Sequence, residues 1–499
     1  MNWEELELHE LREKLDKKEI SSVELTKYFL ARIKEISPVD DKENPSENSR
    51  EKLNAFITIT EKEALEQAQE ADEYMSAGGG ENPALCGIPF AAKDLFMTKG
   101  VRTTAASKIL ENYIPAYNAT VIEKIREQHG VMIGKTNLDQ FAHGSSGETS
   151  YFGATRNPWD TSRMPGGSSS GSAAAVSAGL APWALATETG GSIRQPASLT
   201  GVSGWKPTYG RVSRYGAAAM ASSLDSMGAM ARSVRDLAII AEVLSGVDEK
   251  DSTTGPVGVP NFTKNLNGDI SGMKIGIPKE YFVDGMEAGV KARVEEAIEV
   301  IRAQGAEIVE VSLPNTKYGS LVYAIVCPSE VSSNLSRYDG IRYGHSTQEG
   351  KDLLEVYSKS RAEGFGDEAK RRIMTGTYVL SAGYYDAYYK KAQRVRRLIM
   401  DEFNEVFKKV DILLAPSSPN VAQLLGHAAS DPLFGYIADQ LNIPGSLAGL
   451  PALSVPCGLS DNLPVGLQII GPQWGDQTVF NVGFAYQNAT EFHKLNPEI

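Results

Sequence analysis

Long apolar runs are missing from this chain of 499 residues. No stretch reaches the roughly 18 uncharged apolar residues that a membrane-spanning helix needs, so no membrane span is expected. The opening residues, MNWEELELHELREKLDKKE, are charged and lack the apolar region of a secretory signal. Cysteine is scarce. Cys86, Cys327 and Cys457 are far apart and odd in number, forming neither a disulfide framework nor a zinc-finger spacing. A reducing, cytoplasmic setting is the expectation. Histidine is scarce too, with 6 residues. There is no His-Glu-x-x-His and no Asp-rich calcium loop, so no bound metal is expected. No G-x-x-x-x-G-K-[ST] occurs, so the chain is expected to use no cofactor and to hold no ATP of its own. The G-x-S-x-G elbow of serine hydrolases is also missing: Gly166-Gly167-Ser168-Ser169-Ser170 fails it. Excess positive charge is absent, with a net charge of −13. Gripping nucleic acid needs clustered Lys and Arg. The one basic cluster, Lys390, Lys391, Arg394, Arg396 and Arg397, reads as a solvated helix face.

What the chain does have is a long segment of small residues, Met164 to Pro196. Two Gly-Ser clusters, Gly166 to Gly171 and Gly190 to Ser192, enclose the nearly apolar stretch Ala173 to Ala186. Flexible Gly-Ser linkers do not enclose such a stretch, so the segment reads as a buried turn presenting hydroxyls and backbone N–H groups. A helix of small residues, 171–178, packs behind it. Around this segment strands and helices alternate. Helices are expected over 4–18, 23–36, 61–75, 121–128, 234–244, 289–303, 383–409 and 480–492. Strands are expected over 53–60, 131–134, 274–278, 307–313, 411–415, 452–456 and 466–470. Residues 38–52 and 77–83 read as surface loops, and 205–210 as a turn. The alternation points to an α/β protein. Residues 1–18 read as an N-terminal helical segment and 19–494 as one catalytic domain, with a subdivision near residue 250 as the alternative.

A serine–lysine site fits these absences best. Lysine, with an unperturbed pKa of about 10.4, is a poor base unless desolvated. Lys93 ends the apolar run Gly87-Ile88-Pro89-Phe90-Ala91-Ala92. By itself such a lysine reads as a stem that snorkels to water; the alternative is a buried amine able to act as a base. A serine between base and nucleophile can relay the proton. Cys327, in Ala324-Ile325-Val326-Cys327-Pro328, reads as a core residue, and His129, His143 and His345 as surface or core residues.

These stretches resemble the amidase signature family. The family's Gly-Gly-Ser-Ser-(Gly/Ser)-Gly cluster is matched by Gly166 to Gly171. Its Asp/Glu-x-Gly-Gly-Ser-Ile-Arg-x-Pro is matched by Glu188 to Pro196, and its upstream Gly-(Ile/Val)-Pro-x-x-x-Lys-Asp by Gly87 to Asp94. The resemblance implies a large mixed central β-sheet covered by helices on both faces. It also implies a Ser-Ser-Lys triad: Lys93 as base, Ser168 as relay on a cis peptide, Ser192 as nucleophile. The N–H groups of Thr189, Gly190, Gly191 and Ser192 would form the oxyanion hole. Within the family, Gly201 to Leu224, Ser333 to Gly344, Gly364 to Tyr389, Leu447 to Pro456 and Leu463 to Gly471 resemble the glutaminase subunits of bacterial tRNA-dependent amidotransferases.

That closer resemblance implies glutamine as substrate, held by Tyr323, Arg372 and Asp439. Without it, Arg372 reads as one of three surface cations, Lys370 to Arg372. It further implies a heterotrimer. In it a B subunit uses ATP and Mg²⁺ and carries most of the contact with charged tRNA, while a small C subunit holds the pair together. The alternative is a free-standing amidase acting on small aryl or aliphatic amides. Four residues depart from the pattern: Ser170 for Gly, Glu188 for Asp, Trp205 for Met or Leu, and His143 for Met. Activity is expected to survive them.

Overall fold

The computed structural model describes residues 2–39, 52–78, 81–430 and 434–499. The expected loop over 38–52 falls largely outside the described residues, as do positions 79 and 80 of the turn over 77–83. The chain opens with α1 (Leu8–Asp16) and α2 (Ser22–Ile36). Ser21 caps α2 by accepting from Glu24 N, while the Glu24 carboxylate reaches back to Ser21 N. Next come β1 (Phe56–Ile59), α3 (Glu61–Ala77), β2 (Pro89–Lys93), α4 (Thr120–Glu127) and β3 (Val131–Thr136). The small-residue segment gives α5 (Ser170–Ser177), β4 (Trp183–Glu188) and α6 (Arg194–Thr200). Then follow β5 (Ser203–Lys206), β6 (Ser226–Ala231), α7 (Val234–Leu244), β7 (Lys274–Pro278), α8 (Ala288–Ala303) and β8 (Glu307–Val311). A helical cover, α9 (Gly319–Leu335), α10 (Leu353–Gly364), α11 (Asp367–Leu380) and α12 (Tyr389–Val406), precedes β9 (Ile412–Pro416). Three short helices, α13 (His427–Ser430), α14 (Phe434–Ala438) and α15 (Ile443–Leu447), lead to β10 (Ala452–Ser460), β11 (Leu463–Ile470) and α16 (Asp476–Ala489).

The strands form one mixed sheet of 11, in the order β1-β3-β2-β4-β6-β5-β10-β11-β9-β7-β8. Neighbours β3, β2 and β4 run parallel, as do β8, β7 and β9, and the remaining pairs are antiparallel. Every residue of β2, β4 and β11 is buried. Successive strand residues face opposite sides, so the sheet is covered on both faces. The β7–α8–β8 unit is the parallel βαβ that the sequence pattern indicates.

Several stretches differ from the sequence reading. The helix expected over 383–409 begins only at Tyr389, because Gly383 sits at φ +86° and the tyrosines after it are folded in turns. Trp205 and Lys206 are not a turn but the end of β5, paired between β6 and β10; the turn starts at Pro207, which has no N–H for a ladder. Strands β4 and β6 carry no polar–apolar alternation, since both their faces are buried, and periodicity does not show them. Helices α9 to α11 are likewise absent from the sequence reading; α9 and α10 have weak amphipathic patterns, whereas α11 is as amphipathic as α2.

Candidate active site

Lys93 ends β2 and Glu188 ends β4, two parallel neighbours, so both point out of the same carboxyl edge of the sheet. Crevices outside the carboxyl ends of parallel strands are where ligands bind in open α/β sheets. The loop 189–192 leaves β4 at that edge, and the Gly-Ser cluster preceding α5 folds against it: Ser169 N donates to Ser192 O at 3.3 Å. The Gly167–Ser168 peptide is cis.

Lys93 is fully buried, so the snorkelling reading does not hold. Its Nζ hydrogen-bonds the hydroxyls of Ser168 (2.9 Å), Ser169 (2.8 Å) and Thr187 (2.9 Å). Burial pushes the amine down to about 7, against the opposing pull of the Asp139, Asp225 and Glu188 carboxylates. Near neutral pH a large share of Lys93 is therefore an uncharged amine with a lone pair for a hydroxyl proton. Ser192 ends the 189–192 loop and is 5% exposed; its Oγ has no hydrogen-bond partner among the described residues, Ser168 included. The N–H groups of Thr189, Gly190, Gly191 and Ser192 likewise donate to nothing among the described residues. Four unpaired donors on one tight loop can receive a developing oxyanion.

The loop is held from behind. Glu188 accepts from the N–H groups of Ile193 and Arg194, both at 3.0 Å, and pairs with the buried Arg194 guanidinium. Burial alone would raise the Glu188 carboxyl, but Arg194 holds it below its usual range. Arg194 also bonds Gly190 O, Asn442 O and Gln468. Thr189 Oγ1 donates to Asp225 at 2.7 Å. The longer arm of Glu188, one of the four departures, thus spans from the loop to Arg194. The hydroxyls of Ser170 and Thr155 are hydrogen-bonded at 3.1 Å, and Trp205 is buried with its indole N–H unpartnered.

Tyr323 on α9 and Asp439 press against the same loop, and the Arg372 charge on α11 acts on both, although 116 residues separate Tyr323 from Asp439 (439 − 323). A Cβ on Gly190 would meet Tyr323 Cζ at 3.3 Å and Oη at 3.4 Å, and a Cβ on Gly191 would strike Asp439 Oδ1. The two glycines let the loop press against both side chains. Gly376 does the same between helices: any Cβ there would strike Pro328 O, so α11 lies close on α9. That contact brings Arg372 beside Cys327, with Nη1 at 3.6 Å from Sγ, and beside Glu368, with Nε donating at 2.7 Å. Arg372 is 5% exposed, which rules out a mere surface cation. Asp439 Oδ2 accepts from Ser145 at 2.8 Å, while Oδ1 is buried without a partner. Burial pushes this carboxyl up to about 7. A cavity of about 420 Å³, lined by Ser145, Glu368, Arg372 and Tyr436 among others, opens beside them.

Sequence reasoning missed the supporting groups: Ser169 and Thr187 on the amine, Ser145 on Asp439, Glu368 and Cys327 on Arg372. Only Ser169 carried a signal, its place in the serine run. Cys327 is a core residue as read, and its Sγ lies against Arg372. His143 is wholly buried, and neither ring nitrogen has a partner; burial, reinforced by Arg372 and Arg371, keeps it neutral.

The sequence matches the amidase family over residues 44–480. The chain belongs to the amidase family. It is 52% identical to the glutamyl-tRNA(Gln) amidotransferase A subunit of Thermoanaerobacter pseudethanolicus over 488 residues, 98% of this chain and 97% of that protein. With the same subunit of Chloroflexus aggregans it shares 53% identity over 481 residues, 96% of each. Its fold is similar to the crystal structure of the glutamyl-tRNA(Gln) amidotransferase A subunit from Thermotoga maritima, with a TM-score of 0.78, 41% identity, and coverage of 100% and 98% of the two chains. The peptide amidase of Stenotrophomonas maltophilia is also similar, with a TM-score of 0.80 at 30% identity and 97% of each chain covered. Amidases of different substrates thus share this scaffold, and selectivity has to be argued from the pocket.

Proposed function

We propose that this chain is the glutamine-hydrolysing A subunit of a glutamyl-tRNA(Gln) amidotransferase. Ser192 Oγ attacks the side-chain amide carbon of glutamine. Its proton passes to Ser168, whose own proton goes to the neutral Lys93 amine. The tetrahedral oxyanion is received by the N–H groups of the 189–192 loop. The C–N bond breaks, a proton returned from Lys93 leaves with the nitrogen as ammonia, and a glutamyl ester remains on Ser192. Water, deprotonated along the same path, releases glutamate. The supporting hydroxyls keep the amine oriented: Ser169 and Thr187 hold Nζ from two sides and leave Ser168 as the exit.

One observation carries the choice of substrate. A buried guanidinium and a buried carboxylate with an unpartnered oxygen flank the loop that would polarise the amide. A free amino acid offers an α-carboxylate for the fork of Arg372 and an α-ammonium for Asp439. An aryl or aliphatic amide satisfies neither and leaves both charges buried, which favours the glutaminase over the free-standing amidase. The full length shared with the A-subunit relatives supports the wider assignment. Ammonia is delivered to a B subunit, which activates charged tRNA with ATP and Mg²⁺, and a C subunit holds the pair. Residues 19–494 act as one catalytic unit behind the helical segment 1–18. The cytoplasm, where charged tRNA is used, is the setting for this work. Among the described residues no helix is long and apolar enough to cross a membrane.

The test is co-purification with candidate B and C subunits. Glutamine hydrolysis should be slow for the chain alone and rise on addition of the partners and glutamyl-tRNA(Gln). Hydrolysis that ignores them, or that prefers an aryl amide, would overturn the proposal.

A further inference from the structure

On a face that touches none of the residues above, two histidines and two carboxylates from three distant segments meet. Glu7 and His9 flank the first residue of α1, Asp236 lies in the first turn of α7, and His493 lies just past α16. His9 Nδ1 is 2.9 Å from Asp236 Oδ1 and 3.3 Å from Glu7 Oε2. The donor atoms of these three all lie within 4.8 Å of one another. His493 faces them, with Nε2 at 3.5 Å from Glu7 Oε1. It is 8% exposed, its Nδ1 has no partner, and it lines an open cavity of about 360 Å³ together with Glu7 and His9.

From this geometry we infer a binding site for a zinc-class divalent ion, held by His9, Glu7 and Asp236, with the fourth position open to the cavity that His493 lines. The donor set decides the class. Calcium and magnesium take oxygen ligands, whereas paired imidazole nitrogen and carboxylate oxygen suit zinc and its neighbours. The spacing agrees. Ligands about 2.0–2.1 Å from a tetrahedral zinc stand roughly 3.4 Å apart; His9 Nδ1 lies 2.9 Å and 3.3 Å from its two carboxylate partners, and the donor atoms of all three stay within 4.8 Å of one another. The supporting bonds are in place as well. Asp236 Oδ2 accepts from Leu8 N at 2.9 Å, which orients Oδ1 toward His9. Glu10 and Glu491 add negative charge at the rim, which Arg235 and Lys494 offset. Sequence motifs miss such a site because Asp236 is 227 residues from His9. The ion would staple the start of the chain to α7, since binding only the folded state stabilises it.

The test uses untagged full-length protein, stripped with chelator and reloaded with zinc or cobalt alone. We expect about one equivalent per chain, the strong visible absorption of tetrahedral Co²⁺, and a rise in Tm on zinc addition. Removing a ligand should weaken zinc by at least about 100-fold, beyond the loss typical of an outer-shell partner, in His9→Gln and in Asp236→Asn, while His129→Gln retains it. Should a variant fail to fold by circular dichroism, the cobalt spectrum of the wild-type chain and its displacement by zinc still decide. Sub-stoichiometric retention, a pale octahedral cobalt spectrum, or zinc affinity unchanged in either folded ligand variant would overturn the site. None of these readouts depends on glutamine hydrolysis.

Discussion

Lys93 and Lys206 are both fully buried, and loss of water pushes both amines down to about 7. Their partners differ. Lys93 is ringed by three hydroxyls, whereas Lys206 donates to two carbonyl oxygens, Pro207 O at 3.0 Å and Leu450 O at 2.7 Å. A carbonyl oxygen only accepts, while a hydroxyl both accepts and gives up a proton. Two amines of equal basicity therefore have unequal chemistry: Lys206 ties β5 to the segment before β10, and Lys93 can draw on a hydroxyl chain. A shifted lysine marks a reactive site only when what touches it carries a proton to move.

The sharpest way to break this comparison is to remove both amines in turn. Lys93→Met and Ser192→Ala should each cost glutamine hydrolysis about 10⁴-fold or more, the scale of losing a member of a concerted triad. Lys206→Met should keep kcat within about tenfold and instead lose about 1–3 kcal/mol of stability, from two stranded carbonyls, by chemical denaturation. Equal inactivation by both variants would end the distinction. Next in size is the pocket. Arg372→Ala should lower kcat/KM for glutamine by about 10²–10³-fold, as expected when a buried ionic partner is truncated, with a much smaller change for a neutral amide in steady-state assays.

The pH profile gives a smaller and more discriminating effect. Lys93 works as the neutral amine, so kcat should fall as pH drops through about 7 with a slope of one proton. Free Asp439, pushed up to about 7, must be ionised to take the ammonium, so kcat/KM should fall with a slope approaching two. In Asp439→Asn the second proton should vanish from the profile. Smallest is the effect on stability. The folded pKa of Lys93 lies below its unfolded value, so between about 7 and 10.5 the unfolded chain binds the extra proton and stability rises with pH. Wild type should therefore gain on Lys93→Met in Tm as pH is raised across that window, and Lys206→Met should show the same trend.

Much of the site was legible because its chemistry is local. Gly166 to Gly171, Glu188 to Pro196 and Gly87 to Asp94 are contiguous strings in which each residue has one job, and the three strings meet at the ends of neighbouring strands. The pocket residues were visible only through resemblance, since Tyr323, Arg372 and Asp439 sit on or beside helices whose own sequence shows no catalytic pattern. Burial reversed two readings that composition favoured, the snorkelling Lys93 and the surface Arg372, because burial is a property of tertiary packing. Strands β4, β5 and β6 escaped periodicity for the related reason that a strand covered on both sides has no polar face to alternate. The cluster of Glu7, His9, Asp236 and His493 lies beyond any local pattern.

The central claim is that the amine of Lys93 is largely neutral at the working pH and bonded to Ser168. NMR titration of ¹³Cε-labelled lysines, with the Lys93 resonance assigned by its loss in Lys93→Met and kept apart from Lys135 and Lys206 by the matching variants, measures this directly. The account predicts a midpoint near 7 for Lys93 that shifts in Ser168→Ala. A midpoint near 10, unmoved by that substitution, would contradict it.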